Sequence, residues 1–199
     1  MKKFELTNEF VTNMFGTKLF RIRALVEFGD VEAGELGGYV EKESNLGHDD
    51  NAWVYGDAQV SGNAWVYGNA RVYGNAWVYG NAWVYGNALV YGNAWVYGNA
   101  QVSGDARVCG DARVCGNGDY AYAHGFGSVN RTTTFFRLKD GGVGVRCGCF
   151  YGTLAQFRDK IRETHGETKK AQEYLMLADL MELRFEEDEN EVGNRKYVE

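Results

Sequence analysis

The sequence predicts an all-β solenoid, a chain wound into stacked coils, with a small unit at each end. Residues 51–116 repeat the phrase Asn/Asp-Ala-x-Val-x-Gly eleven times without an insertion. This six-residue period matches neither the roughly 3.6-residue period of a helix nor the two-residue alternation of a long strand. Each repeat, called a hexad below, is therefore expected to form one short strand and one corner. Proline is absent from the chain, as expected where strands need every backbone N–H for stacking.

Residues 1–38 are predicted to form an N-terminal β-hairpin cap on the solenoid. Two alternating segments, 4–11 and 18–28, flank a turn. The end of a solenoid exposes unpaired strand edges, and the hairpin is placed to cover them. Val40 and Leu46 then begin two degenerate hexads, which are offset by two residues from the main register.

The solenoid is predicted to span residues 39–130, with the regular hexads at 51–116. Its extension to about residue 130 depends on Tyr120 and Phe126, which occupy the valine position of the main register. No helical periodicity interrupts this stretch.

Residues 131–199 are predicted to form a β-hairpin followed by two helices. Strands are expected at 132–138 and 143–150, joined by a glycine-rich turn. Thr153 begins a capping-box pattern for the first helix, and a second apolar stripe predicts a helix over 169–185. The acidic tail, 186–199, is expected to be frayed.

The hexads resemble those of the hexapeptide-repeat proteins, which are left-handed parallel β-helices with three hexads in each coil. This handedness is an exception to the usual right-handed crossover, and it is implied by the resemblance alone. The flanks are similar to those of uncharacterised hexapeptide-repeat proteins of phages and prophages. The segments that carry this similarity are Leu19-Phe20-Arg21-Ile22-Arg23-Ala24, Gly37-Gly38-Tyr39-Val40, Thr134-Phe135-Phe136-Arg137, Cys147-Gly148-Cys149-Phe150 and Ala178-Asp179-Leu180-Met181. The resemblance implies a fold and a setting but no settled activity.

A coil of three hexads places residues 18 apart on one face, with neighbouring coils about 4.8 Å apart. Because side chains alternate, the Ala and Val of each hexad are expected inside and the two x residues outside. The first face then carries Trp53, Arg71 and Arg107, while Arg113 lies on the second face. Each of the other two faces carries a group of four rings. The second-face tile is Trp77, Tyr79, Trp95 and Tyr97; the third-face tile is Trp65, Tyr67, Trp83 and Tyr85.

The exposed rings leave two interpretations open. A tile of four rings approaches or exceeds the roughly few hundred Å² of apolar surface that monomers leave exposed. Both tiles are therefore predicted to form an oligomer interface, and the resemblance implies a homotrimer. Alternatively, rings beside arginines sandwich a planar ligand. The candidate ligand-binding residues are Trp53, Arg71, Arg107 and Arg113.

No catalytic residue, metal site or cofactor is predicted. Hexapeptide-repeat acyltransferases use a histidine, but His48 and His124 lie at the two ends of an array that contains none. Cys147 and Cys149 form only a weak metal pattern and are interpreted as free thiols. The cysteines lack a disulfide-framework spacing, and together with the absence of a signal peptide or membrane-length apolar run this predicts a cytoplasmic protein.

Three functions remain open from the sequence. The leading hypothesis is a non-enzymatic binding or interaction protein. If phage-encoded, it would act in the host cytoplasm in counter-defence, sequestering a nucleotide-like signal or blocking a host protein. The alternatives are an acyltransferase that uses coenzyme A, with His48 or His124 as base, and a structural spacer or assembly protein. A net charge of −6 disfavours binding to duplex nucleic acid, and no membrane partner is expected.

Overall fold

The N-terminal segment forms a three-stranded antiparallel sheet in the computed structural model, which describes residues 1–127 and 131–186. Its strands are β1 (Phe4–Thr12), β2 (Lys18–Ala24) and β3 (Leu36–Val40). The Asn13 side chain closes the predicted β1–β2 turn by accepting hydrogen bonds from the backbone N–H groups of Phe15 and Thr17.

Eleven two-residue strands form the coils of the solenoid. They are β4 (Trp53–Val54), β5 (Gln59–Val60), β6 (Trp65–Val66), β7 (Arg71–Val72), β8 (Trp77–Val78), β9 (Trp83–Val84), β10 (Leu89–Val90), β11 (Trp95–Val96), β12 (Gln101–Val102), β13 (Arg107–Val108) and β14 (Arg113–Val114). These strands lie in three parallel sheets, and each pairs with the strand three hexads away: Leu89 pairs with Arg71 and with Arg107. The predicted coil of three hexads is confirmed.

The solenoid core consists of the Ala and Val of each hexad, which are fully buried throughout the array. Each buried Val contributes about 1.5–3 kcal/mol, so stability is spread evenly along the stack. The corners stack as well. Gly80 has a φ of 72°, and a Cβ on it would lie 3.1 Å from the backbone N of Gly98 in the next coil. Asn ladders run beside these glycines, as where Asn69 donates to Asn87 at 3.2 Å.

The degenerate hexads join the N-terminal sheet to the coils. Val40 pairs with Val60, and Leu46 forms a parallel bridge with Val66. In both pairs the sequence separation is two residues larger than the 18 residues of a regular coil. This confirms the offset predicted from the sequence. Through β3, the N-terminal sheet continues directly into the second face of the solenoid.

The C-terminal unit contains a four-stranded antiparallel sheet and two helices. The strands are β15 (Tyr120–Phe126), β16 (Arg131–Arg137), β17 (Val143–Cys147) and β18 (Phe150–Thr153), and the helices are α1 (Leu154–His165) and α2 (Lys169–Phe185). The predicted capping box is present, because the Thr153 side chain accepts from the Gln156 N–H and the Gln156 side chain accepts from the Thr153 N–H. Both helices pack on one side of this sheet, around Phe135 and Phe157.

Two boundaries differ from the sequence expectation. The solenoid was expected to reach about residue 130, but β15 pairs antiparallel with β16 and so belongs to the C-terminal sheet. A short 3-10 turn, Asn117–Asp119, ends the coil, and Tyr120 covers the end of the core with its hydroxyl donating to the Gln101 carbonyl at 2.6 Å. The strand expected at 143–150 breaks at Gly148, whose φ of 58° turns the chain back into β18. Residues 128–130 and 187–199, including nearly all of the expected frayed tail, lie outside the described residues.

The C-terminal sheet lies directly against the last coil. The Arg107 N–H donates to Thr134 Oγ1 at 2.9 Å, and the Lys139 N–H donates to the Asp111 carbonyl at 3.0 Å. Phe136 joins the solenoid core cluster from the same sheet. These contacts place the side of β16 that carries Thr134 and Phe136 against the last coil.

Candidate functional site

The third-face tile is the most exposed aromatic surface of the coils. Trp65 and Trp83 are 38% and 40% exposed. Tyr67 and Tyr85 stack in parallel with ring centroids 5.0 Å apart, and Trp65 stacks on Tyr67 at 4.0 Å. The Trp83 ring stands at 86° to that of Trp65, so the tile presents both ring faces and ring edges.

A shallow cleft continues the third face toward the C-terminal unit. Its volume is about 410 Å³, and its lining includes Tyr85, Gln101, Tyr122 and Arg184. The outward residues of this face beyond the tile, Gln101 and Ser103, are uncharged. The third face is therefore a continuous uncharged surface with one arginine at its edge.

The second-face tile is partly covered within the chain, unlike the third-face tile. Its rings form two parallel stacks, with Trp77 and Trp95 5.2 Å apart. Phe15, from the β1–β2 turn, lies over this tile with its ring 5.5 Å from that of Tyr79. At the other end, the Arg113 guanidinium lies 4.1 Å from the Trp95 ring centroid. Burial raises the pKa of Tyr79 to about 12.

Trp53, a predicted ligand-binding residue, is fully buried. Phe28 and Phe4 pack edge-on against it, with ring centroids 5.3 Å and 6.2 Å away. The expectation that Trp53 points to solvent is therefore wrong, because the N-terminal unit folds over the first hexad. A ligand cannot stack on this ring without displacing that unit.

Arg71 lies on the first face as predicted, but its charge is already compensated. Its guanidinium forms an ion pair with Asp30 at 2.9 Å. The Tyr55 hydroxyl donates to the same carboxylate at 3.1 Å, and burial raises the pKa of Tyr55 to about 12. The side chains of Arg71, Tyr55 and Asp30 thus satisfy one another.

The four predicted ligand residues do not form one site. Arg71 and Arg107 share the first face, but Arg113 lies on the second face and donates to the backbone carbonyls of Asn93 and Ala112. Sequence reasoning missed Arg146, which β17 places opposite Thr134, the residue whose side chain accepts from the Arg107 N–H. Only the register of the β16–β17 hairpin could have revealed this position.

Cys109 was expected to point outward on the first face but is 2% exposed. The C-terminal sheet covers it, and burial raises the pKa of its thiol. None of the four cysteines forms a disulfide, and no group of His, Cys, Asp and Glu in residues 1–127 and 131–186 could hold a metal ion.

The candidate catalytic histidines sit in packed or ordinary surface positions. The Lys3 N–H donates to His48 Nδ1 at 3.2 Å, and the His48 ring stacks on Phe4 at 4.4 Å. Burial lowers the pKa of His48. At the other end of the array, His124 Nδ1 lies 2.9 Å from Thr132 Oγ1. Among the described residues, neither histidine forms an ion pair with a carboxylate.

A family model matches most of the coils. The YdcK beta-solenoid repeat matches residues 58–70, 64–80, 70–85, 82–98 and 100–116. This chain is a repeat β-solenoid protein. The matched stretches cover less than a third of its length. The likeness therefore concerns the repeats, and it does not extend to the flanking segments that resemble phage and prophage proteins. A search of curated proteins gives no significant match.

Neither α1 nor α2, the helices of the described part of the chain, is long and apolar enough to cross a membrane. The expected cytoplasmic location stays a prediction.

Proposed function

We propose that this protein is a non-enzymatic interaction protein whose primary partner is a second copy of itself, bound through the third-face tile. The observation that carries this proposal is the contrast between the two tiles. Phe15 and Arg113 cover parts of the second-face tile, whereas Trp65 and Trp83 remain substantially exposed. A rigid solenoid that leaves one aromatic tile open presents a preformed surface for association.

Burial of this tile provides a driving force for association. Apolar surface removed from water contributes about 25 cal/mol per Å². Aromatic residues also dominate the energetics of protein interfaces, and Trp and Tyr are enriched among the residues whose truncation costs most. The coils hold the rings in place, so little conformational entropy is lost when a partner binds.

The charge pattern favours a second copy as the occupant. A two-fold interface brings the same patch of both subunits together, so any charge on the patch faces a charge of the same sign. The outward residues of the third face from Trp65 to Ser103 carry no charge, whereas the first face carries Arg71 and Arg107. In a chain of net charge −6, the third face is therefore the surface on which self-contact meets least repulsion.

One open tile in each chain favours a dimer. The homotrimer implied by the family resemblance would also use the second-face tile, and Phe15 would then have to leave Trp77 and Tyr79. The trimer stays a prediction that the following measurement distinguishes from a dimer.

The other functional hypotheses also stay predictions. Counter-defence by sequestering a nucleotide-like signal, or by blocking a host protein, belongs to the same class of non-enzymatic binding. The coenzyme A acyltransferase has less support from the site geometry, because His48 already accepts a backbone hydrogen bond at Nδ1. No specific observation favours a structural spacer over an interaction protein.

Trp83→Gln is expected to weaken self-association at least tenfold and to lower the mass measured by light scattering at micromolar concentration. Its matched control is Trp95→Gln, which removes the equivalent ring from the partly covered second-face tile and should leave the mass nearly unchanged. Thermal melting of both variants reports whether they remain folded.

A wild-type protein that stays monomeric at high micromolar concentration contradicts the proposal. A mass of three chains that both substitutions lower would support the trimer and a second interface at Trp95. If Trp95→Gln alone lowers the mass, the interface lies on the second face and not on the third.

A further inference from the structure

We infer that the first face carries a small-molecule anion site, in which Arg107 and Arg146 hold a phosphate or carboxylate group. This site lies on a different face from the third-face tile. The inference does not depend on self-association.

The fold brings the two arginines together from distant parts of the chain. The Arg107 N–H, at the start of β13, donates to Thr134 Oγ1 at 2.9 Å. Thr134 lies directly opposite Arg146 in the antiparallel pair of β16 and β17. Opposite residues in such a pair project from the same side of the sheet with Cβ atoms about 4.5–5.5 Å apart. Arg146 therefore projects beside Thr134, toward the coil that carries Arg107.

Neither guanidinium has a carboxylate partner among the described residues. Within those residues, the arginines that form ion pairs are Arg21, Arg23, Arg71, Arg158 and Arg162. Arg146 donates from Nη1 to the Cys149 carbonyl at 3.3 Å, while its buried Nε has no hydrogen-bond partner. A buried donor without a partner is energetically unfavourable, so a turn of the Arg146 side chain that exposes Nε to a bound anion would relieve this cost.

A ladder of stacked tyrosines lies on the first face beside the two arginines. The rings of Tyr73 and Tyr91 are parallel, with centroids 4.8 Å apart, and Cys109 continues the row beneath the C-terminal sheet. Burial raises the pKa of the Tyr73 hydroxyl, while the nearby charges of Arg107 and Arg146 oppose this shift. The hydroxyl is thus a neutral donor at physiological pH, and it adds to the donors of the two guanidinium groups.

These donors define the class of ligand. A guanidinium is always charged and offers a planar fork of N–H groups that matches the oxygens of a carboxylate or phosphate. Two such groups suit an anion with more than one negative charge. Since the whole chain has a net charge of −6, only a local concentration of uncompensated arginines would attract it.

Calorimetric titration at low salt tests this inference, with inorganic pyrophosphate and citrate as separate probes. We expect at least one probe to bind, and Arg107→Gln and Arg146→Gln each to weaken its affinity about tenfold, or roughly 1.4 kcal/mol. The matched control is Arg162→Gln, which removes the same charge from α1, where Arg162 pairs with Asp159. Its affinity should equal that of the wild type.

Arg146→Lys keeps the charge but loses the planar fork, and is expected to weaken binding less than Arg146→Gln in a protein of unchanged melting temperature. Binding of pyrophosphate alone assigns a phosphate ligand, and binding of citrate alone assigns a carboxylate ligand. The inference is overturned if neither probe binds at millimolar concentration. Equal weakening by Arg162→Gln also overturns it, because the effect would then follow net charge alone.

Discussion

Deletion of one hexad, residues 87–92, is expected to abolish self-association, whereas deletion of three hexads, residues 87–104, should preserve it. A coil takes three hexads, as the pairing of Leu89 with Arg71 and Arg107 shows. Removing one hexad moves every downstream residue back to the preceding face, by about a third of a turn. Removing three deletes a whole coil and keeps the order of the faces.

The two deletions have different consequences for the third face. Both keep Trp65 and Trp83, because the deleted residues follow the third-face tile. The one-hexad deletion, however, brings Arg107 onto the third face next to that tile, together with the C-terminal sheet that contacts Arg107. A charge at a self-contacting surface, and a sheet beside it, both oppose association. The three-hexad deletion leaves Arg107 on the first face.

Light scattering of the two variants at equal concentration gives the result, with circular dichroism to confirm that the solenoid has folded. Both proteins keep the Ala and Val core, so both are expected to fold. If the two deletions associate equally well, the assignment of the interface to the third face is wrong.

The period of the hexads predicts the coils well because each hexad is a local unit. Corners recur at Gly every six residues, and the family resemblance implies three such hexads in each coil, so each outward residue is assigned to its face. The period together with the three-hexad coil places Trp65 and Trp83 on one face, and the pairing of β6 with β9 confirms it. The two-residue offset of Val40 was also visible as a shift in the spacing of apolar residues.

The surroundings of the outward residues could not be predicted in the same way. Trp53 is buried because Phe28 and Phe4 return over it, and Phe15 reaches the second-face tile from the tip of a hairpin. These contacts join segments far apart in the chain, and no periodic pattern records them. Arg146 belongs to the same class, because its place beside Arg107 depends on how the C-terminal sheet meets the last coil.

Raising the pH above 10 is expected to destabilise the protein steeply, because ladder tyrosines stay protonated in the fold. Burial raises the pKa of Tyr55 and Tyr79 from 10.0 to about 12, and it raises the pKa of Tyr91 as well. A group whose pKa is raised by folding contributes stability that is complete below its unfolded value. That stability is lost as the pH rises through the folded value. For Tyr55 and Tyr79 the loss therefore falls between pH 10 and pH 12.

The size of this effect is comparable with the stability of a whole domain. One pKa unit corresponds to about 1.36 kcal/mol, so a two-unit shift at both Tyr55 and Tyr79 would remove at most about 5 kcal/mol together. Solvent screening of these partly exposed hydroxyls reduces that figure. Total free energies of unfolding are about 5–15 kcal/mol, so a large part of the stability should be lost over this range.

Lys3 produces the opposite slope at lower pH. Burial lowers its pKa from 10.5 to about 8, although its Nζ donates to the backbone carbonyls of Asp50 and Ala52. A lowered pKa contributes stability that is present above the unfolded value and lost as the pH falls through the folded value. Stability is therefore expected to rise from about pH 8 to pH 10.

Chemical denaturation across this pH range, followed together with phenolate absorbance, checks both slopes. Lys3→Met should flatten the rise between pH 8 and pH 10 without changing the alkaline loss. Tyr79→Phe should reduce the alkaline loss, because phenylalanine keeps the stacked ring and has no proton to release. If all the tyrosines ionise near pH 10 while the protein remains fully stable, the ladder hydroxyls are not held protonated by the fold.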